Sequence, residues 1–173
     1  MGAVPDEWIR QWGDPALRAV ALPVLDLDDL LRRQIARMQE RLDAAQGAGL
    51  AATQVGVLRR IFVFRMTIES SIEVAVNPRI TAMSAERATF TEGCLSFPGV
   101  VVSVDRPVAV RVACEDVDGR SRVLDAEGFG ASLLQHELDH LDGILTLDRA
   151  TPTERRRATR ELLDASQAPS LAA

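Results

Sequence analysis

The apolar residues between Asp26 and Gln46 recur with the spacing of a helix. Leucine, isoleucine and methionine return every three or four positions, and arginine and glutamate occupy most positions between them. This spacing gathers the apolar side chains on one face, so it predicts an amphipathic helix. Asp26 or Asp28 can cap its start and Gly47 its end, because these residue types satisfy backbone groups left unpaired at helix termini.

Short runs rich in β-branched and aromatic residues follow this helix. They are Arg60–Phe64, Ile72–Val76, Arg87–Thr91, Val100–Val104 and Val108–Cys114. We expect Asn77 and Pro78 to close the second of these runs. Turn residues separate the runs at short intervals, which favours antiparallel pairing over βαβ crossovers.

Two more helices are predicted in the C-terminal half. One runs from about Ala131 to Leu141 and stops at Gly143, and the other runs from about Pro152 to Leu163, with proline in its first turn. The tail ASQAPSLAA, residues 165–173, is expected to fray. Without an internal repeat or linker, residues 1–173 are predicted to form a single α+β domain. Its short antiparallel strands and sheets would pack around the second helix, with helices at both ends.

Composition and charge exclude several classes of function. Of 173 residues, 47% are hydrophobic and 26% are charged, which is typical of a globular domain, and the longest apolar runs are too short to span a membrane. The start MGAVPDEWIRQWGDP lacks a basic and then apolar secretory signal, which favours a cytoplasmic location. The net charge of −5 indicates no broad basic face for DNA or other nucleic acid.

Both histidines of the chain lie in the stretch LLQHELDHLDG, residues 133–143. On a helix, His136 and His140 lie one turn apart on the same face, so the two imidazoles can bind one metal ion. Glu137 stands beside the first ligand. In this H-E-x-x-H pattern the glutamate is a general base and the metal lowers the pKa of a water molecule. The alternative is that these are only polar residues on a helix surface.

A catalytic site of this type usually has three protein ligands, and the third must come from elsewhere. One zincin class would place it at position 146, where this chain has threonine, so that class is excluded. Another class uses a glutamate from a following helix, and Glu161 fits that spacing. Cys94, in TEGCLSFPG, is the better candidate because a thiolate is a strong, soft ligand. Cys114 instead has the setting of a small buried apolar residue.

The stretch GAGLAATQVG, residues 47–56, is rich in glycine and alanine, which allow close approach to the backbone. Gln54 places an amide donor inside this otherwise apolar stretch. The stretch lacks the Gly-Lys-Ser/Thr of a phosphate-binding loop, and no strand is predicted before it. Taken alone, it is predicted to be a loop.

Taken in order, GAGLAATQ, EGCLS and HELDH resemble the three signature motifs of the peptide deformylases. Members of that family are metal hydrolases that remove the formyl group from the N-terminal methionine of new bacterial proteins. The segments WGDPALR, VNP and HLDGILTLDR are also similar to the family pattern. The resemblance therefore covers nearly the whole chain and implies the same enzymatic activity.

The resemblance implies roles for individual residues. The metal ligands would be Cys94, His136 and His140, with ferrous iron the usual physiological ion and zinc or nickel able to replace it. Glu137 would move the proton from water to the leaving amine. The Gln54 side chain and the Leu95 backbone N–H would stabilise the developing oxyanion.

The resemblance also implies how the substrate, the N-formyl-methionyl peptide of a nascent chain, binds. The peptide would add as a strand near Ala48, Gly49 and Gly93. The methionine side chain would enter a pocket near Phe129, Ser132 and Leu133. Some relatives dock on the ribosome through a C-terminal helix, so a transient ribosome contact is possible here. A helix exposed to solvent explains the local RRR run equally well.

At two positions the chain differs from the family pattern, and one ion pair is predicted near the histidines. Ala48 stands where larger aliphatic residues are common in the family, which would widen the pocket. Val101 lies in an apolar VVSV run where many relatives have a polar residue. Asp139, on the helix of the histidines, is predicted to pair with Arg106 and so steady that helix.

Three other functions remain open from the sequence. The chain could be a metal-binding or ribosome-associated module without turnover, although binding alone does not require Glu137. It could be a zinc protease that uses Glu161 as the third ligand. It could also hydrolyse a small-molecule formamide in place of a peptide.

Overall fold

The computed structural model of the chain describes residues 8–167. The sequence start without a secretory signal lies partly outside these residues, and the end of the tail that was expected to fray, residues 168–173, lies wholly outside them. Within residues 8–167, helices and antiparallel strands form the α+β fold that the sequence predicts. In this part of the chain, no helix has the length and apolar character needed to cross a membrane.

The strands form two antiparallel sheets. The larger sheet has the order β1-β2-β3-β6-β7, with β1 Gly49–Ala51, β2 Ile61–Phe64, β3 Glu73–Met83, β6 Ala109–Glu115 and β7 Ser121–Glu127. The smaller sheet pairs β4 Arg87–Gly93 with β5 Val101–Pro107. The sequence pattern does not indicate β1 or β7, because β1 is short and lies in the glycine-rich stretch, and β7 is largely polar.

The prediction that Asn77 and Pro78 close a strand was wrong. The strand β3 continues through both residues, and its register against β6 shifts between Val76 and Arg79. Asn77 has a φ of 49° at this bulge, and its side-chain amide exchanges two hydrogen bonds with the backbone of Val24. Proline is tolerated here because a bulge does not need every ladder hydrogen bond.

The first helix, α1 (Asp29–Ala44), begins as predicted but ends differently. The Asp28 side chain caps it by accepting a hydrogen bond from the Leu31 N–H at 2.7 Å, so Asp26 is not the cap. At the other end Gln46, not Gly47, takes the left-handed conformation, with a φ of 51°. The Gly47 N–H bonds to the Leu42 carbonyl, which makes a Schellman-type ending.

Three helices follow the sheets: α2 Phe129–Leu141, α3 Thr146–Arg149 and α4 Pro152–Gln167. The side chains of α2 are buried from Ala131 to Leu141 without interruption. Gly143 stops this region as predicted, with a φ of 71°, and a Cβ there would lie 2.6 Å from the Arg18 carbonyl oxygen. Residues 165–167, part of the tail that was expected to fray, continue α4.

The larger sheet is covered on both faces. Leu134, Leu138 and Leu141 of α2 pack on one face against Phe62 and Phe64. On the other face α1 contributes Ile35, Met38 and Leu42, which pack against Ile61, Val63, Val74 and Val76. A third apolar cluster joins β5 to α3 and α4. This packing buries α2 against the larger sheet.

Candidate active site

The turn after β4 and the middle of α2 bring together three side chains that can bind a metal. The Cys94 sulfur lies 3.2 Å from His140 Nε2, and the two imidazole centroids are 4.9 Å apart. The ligand atoms of Cys94, His136 and His140 all lie within 4.8 Å of one another, so one small cation could contact all three. The structure thus brings together the ligands predicted from two distant motifs.

The alternative third ligand does not reach this group. Glu161 lies on the exposed side of α4, where its carboxylate accepts a hydrogen bond from Arg157 at 2.6 Å. The alternative of a zinc protease that uses Glu161 as its third ligand is therefore excluded by this fold. Cys114 is buried in β6, where burial raises the pKa of its thiol, as expected for a small apolar core residue.

The donor chemistry of the cluster fits a divalent transition metal. One thiolate and two imidazoles suit zinc or ferrous iron, and three protein ligands leave a position for a reacting molecule. Both histidines are buried, His136 at 8% exposure and His140 at 1%. Burial lowers the pKa of His140, whereas for His136 the contacts with Cys94 and Glu92 outweigh burial and raise the pKa.

Glu92 orients the first histidine, a role that the sequence analysis missed. Its Oε2 lies 2.9 Å from His136 Nδ1, and both of its oxygens accept hydrogen bonds from Arg106, at 2.5 and 2.9 Å. Burial by itself would raise the pKa of Glu92, but the bonds with His136 and Arg106 outweigh it and lower the pKa to about 2. An ionised carboxylate only accepts, so His136 Nδ1 donates and Nε2 faces Cys94 and His140. In the sequence, the only signal for this role was that Glu92 is a charged residue two positions before Cys94.

The predicted ion pair between Arg106 and Asp139 is confirmed. Arg106 Nη1 donates to Asp139 Oδ2 at 2.8 Å, and both side chains are buried. Arg149 of α3 also donates to Asp139, at 2.6 Å. One charged network therefore joins β4, β5, α2 and α3 behind the histidines.

Glu137 lies on α2 directly after His136. It is only 2% exposed, and its Oε2 contacts no hydrogen-bond partner among residues 8–167. Burial raises the pKa of Glu137 to about 7, although the charge of His136 opposes that shift. Gly49 lies directly over this carboxylate: a Cβ at that position would be 2.6 Å from Glu137 Cδ.

The GAGLAATQ stretch is not the loop that was predicted. Gly49–Ala51 form β1, and Ala52–Val55 form a 3-10 turn. Gln54 is 1% exposed, and its Oε1 accepts from the Ala51 N–H at 2.8 Å. Its amide Nε2 donates to Ser96 Oγ at 3.1 Å and lies 3.5 Å from Cys94 Sγ. The donor of Gln54 is therefore held next to the metal ligands.

The residues predicted to bind substrate surround this group in different ways. Ala48 and Gly49 lie at the edge strand β1, and Gly93 ends β4 next to Cys94. Phe129 is 61% exposed at the start of α2, whereas Leu133 is buried. Ser132 turns its hydroxyl to Glu92. The predicted Leu95 follows Cys94 and packs its side chain toward α1.

Comparison with known proteins identifies the family that the three sequence motifs resemble. The profile of the polypeptide deformylases matches residues 6–156. A peptide deformylase from Thermotoga neapolitana is 40% identical over 156 residues, which cover 90% of this chain and 94% of the relative. One from Treponema pallidum is 43% identical over 148 residues, covering 86% of this chain and 90% of the relative.

Solved structures agree with these relatives. A peptide deformylase from Legionella pneumophila superposes with a TM-score of 0.86 at 36% identity, covering 91% of this chain and 94% of the other. A peptide deformylase from Synechococcus elongatus, solved with actinonin, gives a TM-score of 0.84 at 37% identity, covering 95% and 89%. The chain therefore belongs to the peptide deformylase family, the metal-dependent hydrolases that remove the N-terminal formyl group from newly made polypeptides.

Proposed function

We propose that Glu137 performs the proton transfers of deformylation in this chain, at a metal held by Cys94, His136 and His140. The observation that carries this proposal is the convergence of the three ligand atoms within 4.8 Å beside a buried glutamate. A site that only stored a metal would not need an ionisable group buried next to the ligands, because that burial costs free energy.

On the family resemblance we propose ferrous iron as the ion used in the cell, with zinc or nickel able to occupy the same site. Three soft or borderline ligands accept several divalent ions, so availability decides which one is bound. A bound ion would polarise the formyl carbonyl and lower the pKa of a water molecule. Metal analysis after anaerobic purification tests this assignment.

Glu137 supplies the acid and base chemistry of the reaction. With a pKa near 7, its carboxylate can accept a proton from the attacking water at neutral pH. The same group can then donate that proton to the amine nitrogen of methionine, which must leave protonated. The Oε2 atom, which contacts no partner among the described residues, is the atom that supports this role.

Gln54 and Leu95 would stabilise the oxygen of the formyl group as it gains negative charge. The hydrogen bond from Ala51 N–H to Gln54 Oε1 fixes the amide so that Nε2 faces the ligands. The backbone N–H of Leu95 follows the ligand Cys94 directly. Donors held in place in this way are worth about 3 kcal/mol each in the transition state.

The substrate would lie along β1. This strand is at the edge of the larger sheet, so one side of its backbone at Ala48 and Gly49 can pair with an added peptide strand. Gly93 borders the same space from β4. The methionine side chain would enter between Phe129 and Leu133, next to Ser132.

Because the substrates are nascent chains made on the ribosome, they indicate where the enzyme acts and which partner it contacts. Nascent chains leave the ribosome in the cytoplasm, so we place the activity there, with a transient ribosome contact.

Two arginines of the RRR run on α4 form hydrogen bonds within the domain. Arg155 donates to the Leu147 carbonyl and Arg157 to the Val101 carbonyl. We therefore assign α4 mainly to stabilising the domain. We also propose that residues 1–173 form a single domain.

The variant Glu137→Gln tests the role of Glu137. It keeps the shape of the side chain but cannot carry the proton, so we expect hydrolysis of formyl-methionyl peptides to fall by about 100- to 10,000-fold. Metal content should remain equal to that of the wild type. Glu127→Gln, a change of the same kind at an exposed residue of β7, is the matched control. Equal turnover by Glu137→Gln and the wild type would overturn the proposal.

A further inference from the structure

Ser132 forms one hydrogen bond that the deformylation chemistry does not use. The residue lies on α2, one turn before His136, and is only 4% exposed. Its Oγ donates to Glu92 Oε1 at 2.6 Å. Glu92 Oε1 also accepts a hydrogen bond from Arg106 Nε, so the hydroxyl hydrogen of Ser132 is directed at Glu92 and is not offered to a substrate.

The bond completes the set of contacts that fixes the Glu92 carboxylate. Oε1 accepts from Arg106 Nε and Ser132 Oγ, and Oε2 accepts from Arg106 Nη2 and lies 2.9 Å from His136 Nδ1. Arg106 holds the carboxylate from one side and Ser132 holds it from the ligand helix. The orientation of the His136 ring therefore depends on a carboxylate that Ser132 helps to position.

The same bond joins the two segments that carry the metal ligands. Glu92 stands two residues before Cys94, and Ser132 stands four residues before His136. The hydrogen bond between them spans from β4 to α2, so it limits how far the sulfur can move relative to the imidazoles. A hydroxyl that merely lined the substrate pocket would not connect these segments.

We infer that Ser132 is a positioning residue that sets the metal affinity of the site through Glu92, and not a residue that selects the substrate side chain. The inference rests on the proposed function, because it requires Cys94, His136 and His140 to bind the metal. It replaces the pocket role predicted for Ser132, while Phe129 and Leu133 keep theirs.

The test measures metal affinity directly. The metal-free protein is titrated with Zn(II) in competition with a chelator of known affinity, for the wild type and for Ser132→Ala, Ser132→Val and Ser132→Thr. Alanine removes the donor, threonine keeps the hydroxyl, and valine has the shape of threonine without the hydroxyl. We expect alanine and valine to weaken Zn(II) binding by about three- to tenfold, at or below the lower end of the range typical for residues that support metal ligands. Threonine should stay within about twofold of the wild type.

Two further readouts separate positioning from substrate selection. In the Co(II)-loaded protein, Ser132→Ala should alter the visible absorption bands that report coordination geometry. The ratio of kcat/KM for formyl-methionyl and formyl-norleucyl peptides should stay at the wild-type value. Thr146→Val is the matched control, because it deletes another buried hydroxyl, one that has no hydrogen-bond partner among residues 8–167, and should leave Zn(II) affinity unchanged.

The outcomes distinguish this inference from the proposed function. If the wild type fails to bind one Zn(II) per chain, the proposed function fails. If the wild type binds but Ser132→Ala and Ser132→Val lose less than about threefold in affinity, only the Ser132 inference is overturned. Thermal unfolding of each metal-free variant identifies a folding defect. If the alanine variant unfolds, the comparison of valine with threonine decides the result.

Discussion

At the residue scale, the backbone of Gly49 lies close to the side chain of Glu137. A methyl group at Gly49 would lie 2.6 Å from Glu137 Cδ and 2.9 Å from Cγ. Glu137 is buried, so it has little room to move away. Glycine is required here because the carboxylate occupies the space of a side chain.

We predict that Gly49→Ala displaces Glu137 and lowers kcat for a formyl-methionyl peptide by about 100-fold, the order expected for a shift of about 1 Å in a catalytic group. Metal content should not change, since Gly49 does not touch the ligands. Gly130→Ala is the control, because the added Cβ would meet the flexible end of the Met66 side chain, and not Glu137. If both variants lost activity equally, crowding of Glu137 would not explain the loss.

At the element scale, single capping residues determine where helices begin. The sequence left Asp26 and Asp28 as alternative caps for α1, and the structure selects Asp28, which accepts the Leu31 N–H. A similar contact fixes α3, where the Asp148 carboxylate accepts the Leu145 N–H at 2.8 Å and pairs with Arg18. Each contact satisfies a backbone donor that the helix itself leaves unpaired.

The cap of α1 gives a test with a built-in comparison. Asp28→Ala should lower the free energy of unfolding by about 1 kcal/mol, measured by urea denaturation. Asp26→Ala should lower it by less than about half as much, because Asp26 is exposed and does not cap α1. The opposite order would show that the cap was assigned to the wrong residue.

The contact at α3 predicts a pH dependence. Burial would raise the pKa of Asp148, but the bonds from Arg18 and the Leu145 N–H outweigh it and hold the pKa below the usual 3.8. A lowered pKa in the folded state adds stability above pH 3.8, and this stability is lost as the pH falls through the folded pKa. Asp148→Asn should therefore destabilise the protein at pH 7, by about 1 kcal/mol.

Thermal unfolding measured between neutral pH and pH 3 checks this prediction. The gap in Tm between Asp148→Asn and the wild type should narrow as the pH falls below the ordinary aspartate range. Asp164→Asn removes the same charge from an exposed position on α4 and serves as the control. A gap that stays constant with pH would argue against a stabilising role for the ionised Asp148.

At the scale of the whole molecule, the charged network behind the histidines joins distant parts of the chain. Arg106 of β5 bonds to Glu92 of β4 and to Asp139 of α2, and Arg149 of α3 bonds to Asp139. Removing one member of a buried ion pair leaves the other charge without compensation, which costs far more free energy than losing a surface pair.

We predict that Arg106→Leu lowers the free energy of unfolding by about 3–5 kcal/mol and also reduces metal content, because it leaves Glu92 and Asp139 buried with fewer partners. Arg87→Leu removes a neighbouring arginine whose pair with Asp105 is exposed, and should cost less than about 1 kcal/mol. Urea denaturation and metal analysis measure both. Similar losses in the two variants would contradict a special role for the network.

Much of this protein was determined by residues that are close together in sequence. Periodicity predicted α1 and most strands, and the three motifs predicted Cys94, His136, His140 and Glu137, because residue type and local spacing limit which chemistry is available. The same local signals failed at Asn77–Pro78 and at Gly47, where long-range packing chose a bulge and a different helix ending.

Only the tertiary structure decided which distant residues meet. It rejected Glu161 as a ligand, placed Gly49 over Glu137, and revealed Glu92 and Ser132 as supports of His136. No local pattern encodes these contacts, because they depend on how elements that are distant in sequence pack against one another. The sequence by itself therefore determined the reactive groups, and the packing of sheets and helices determined their orientation and their supporting hydrogen bonds.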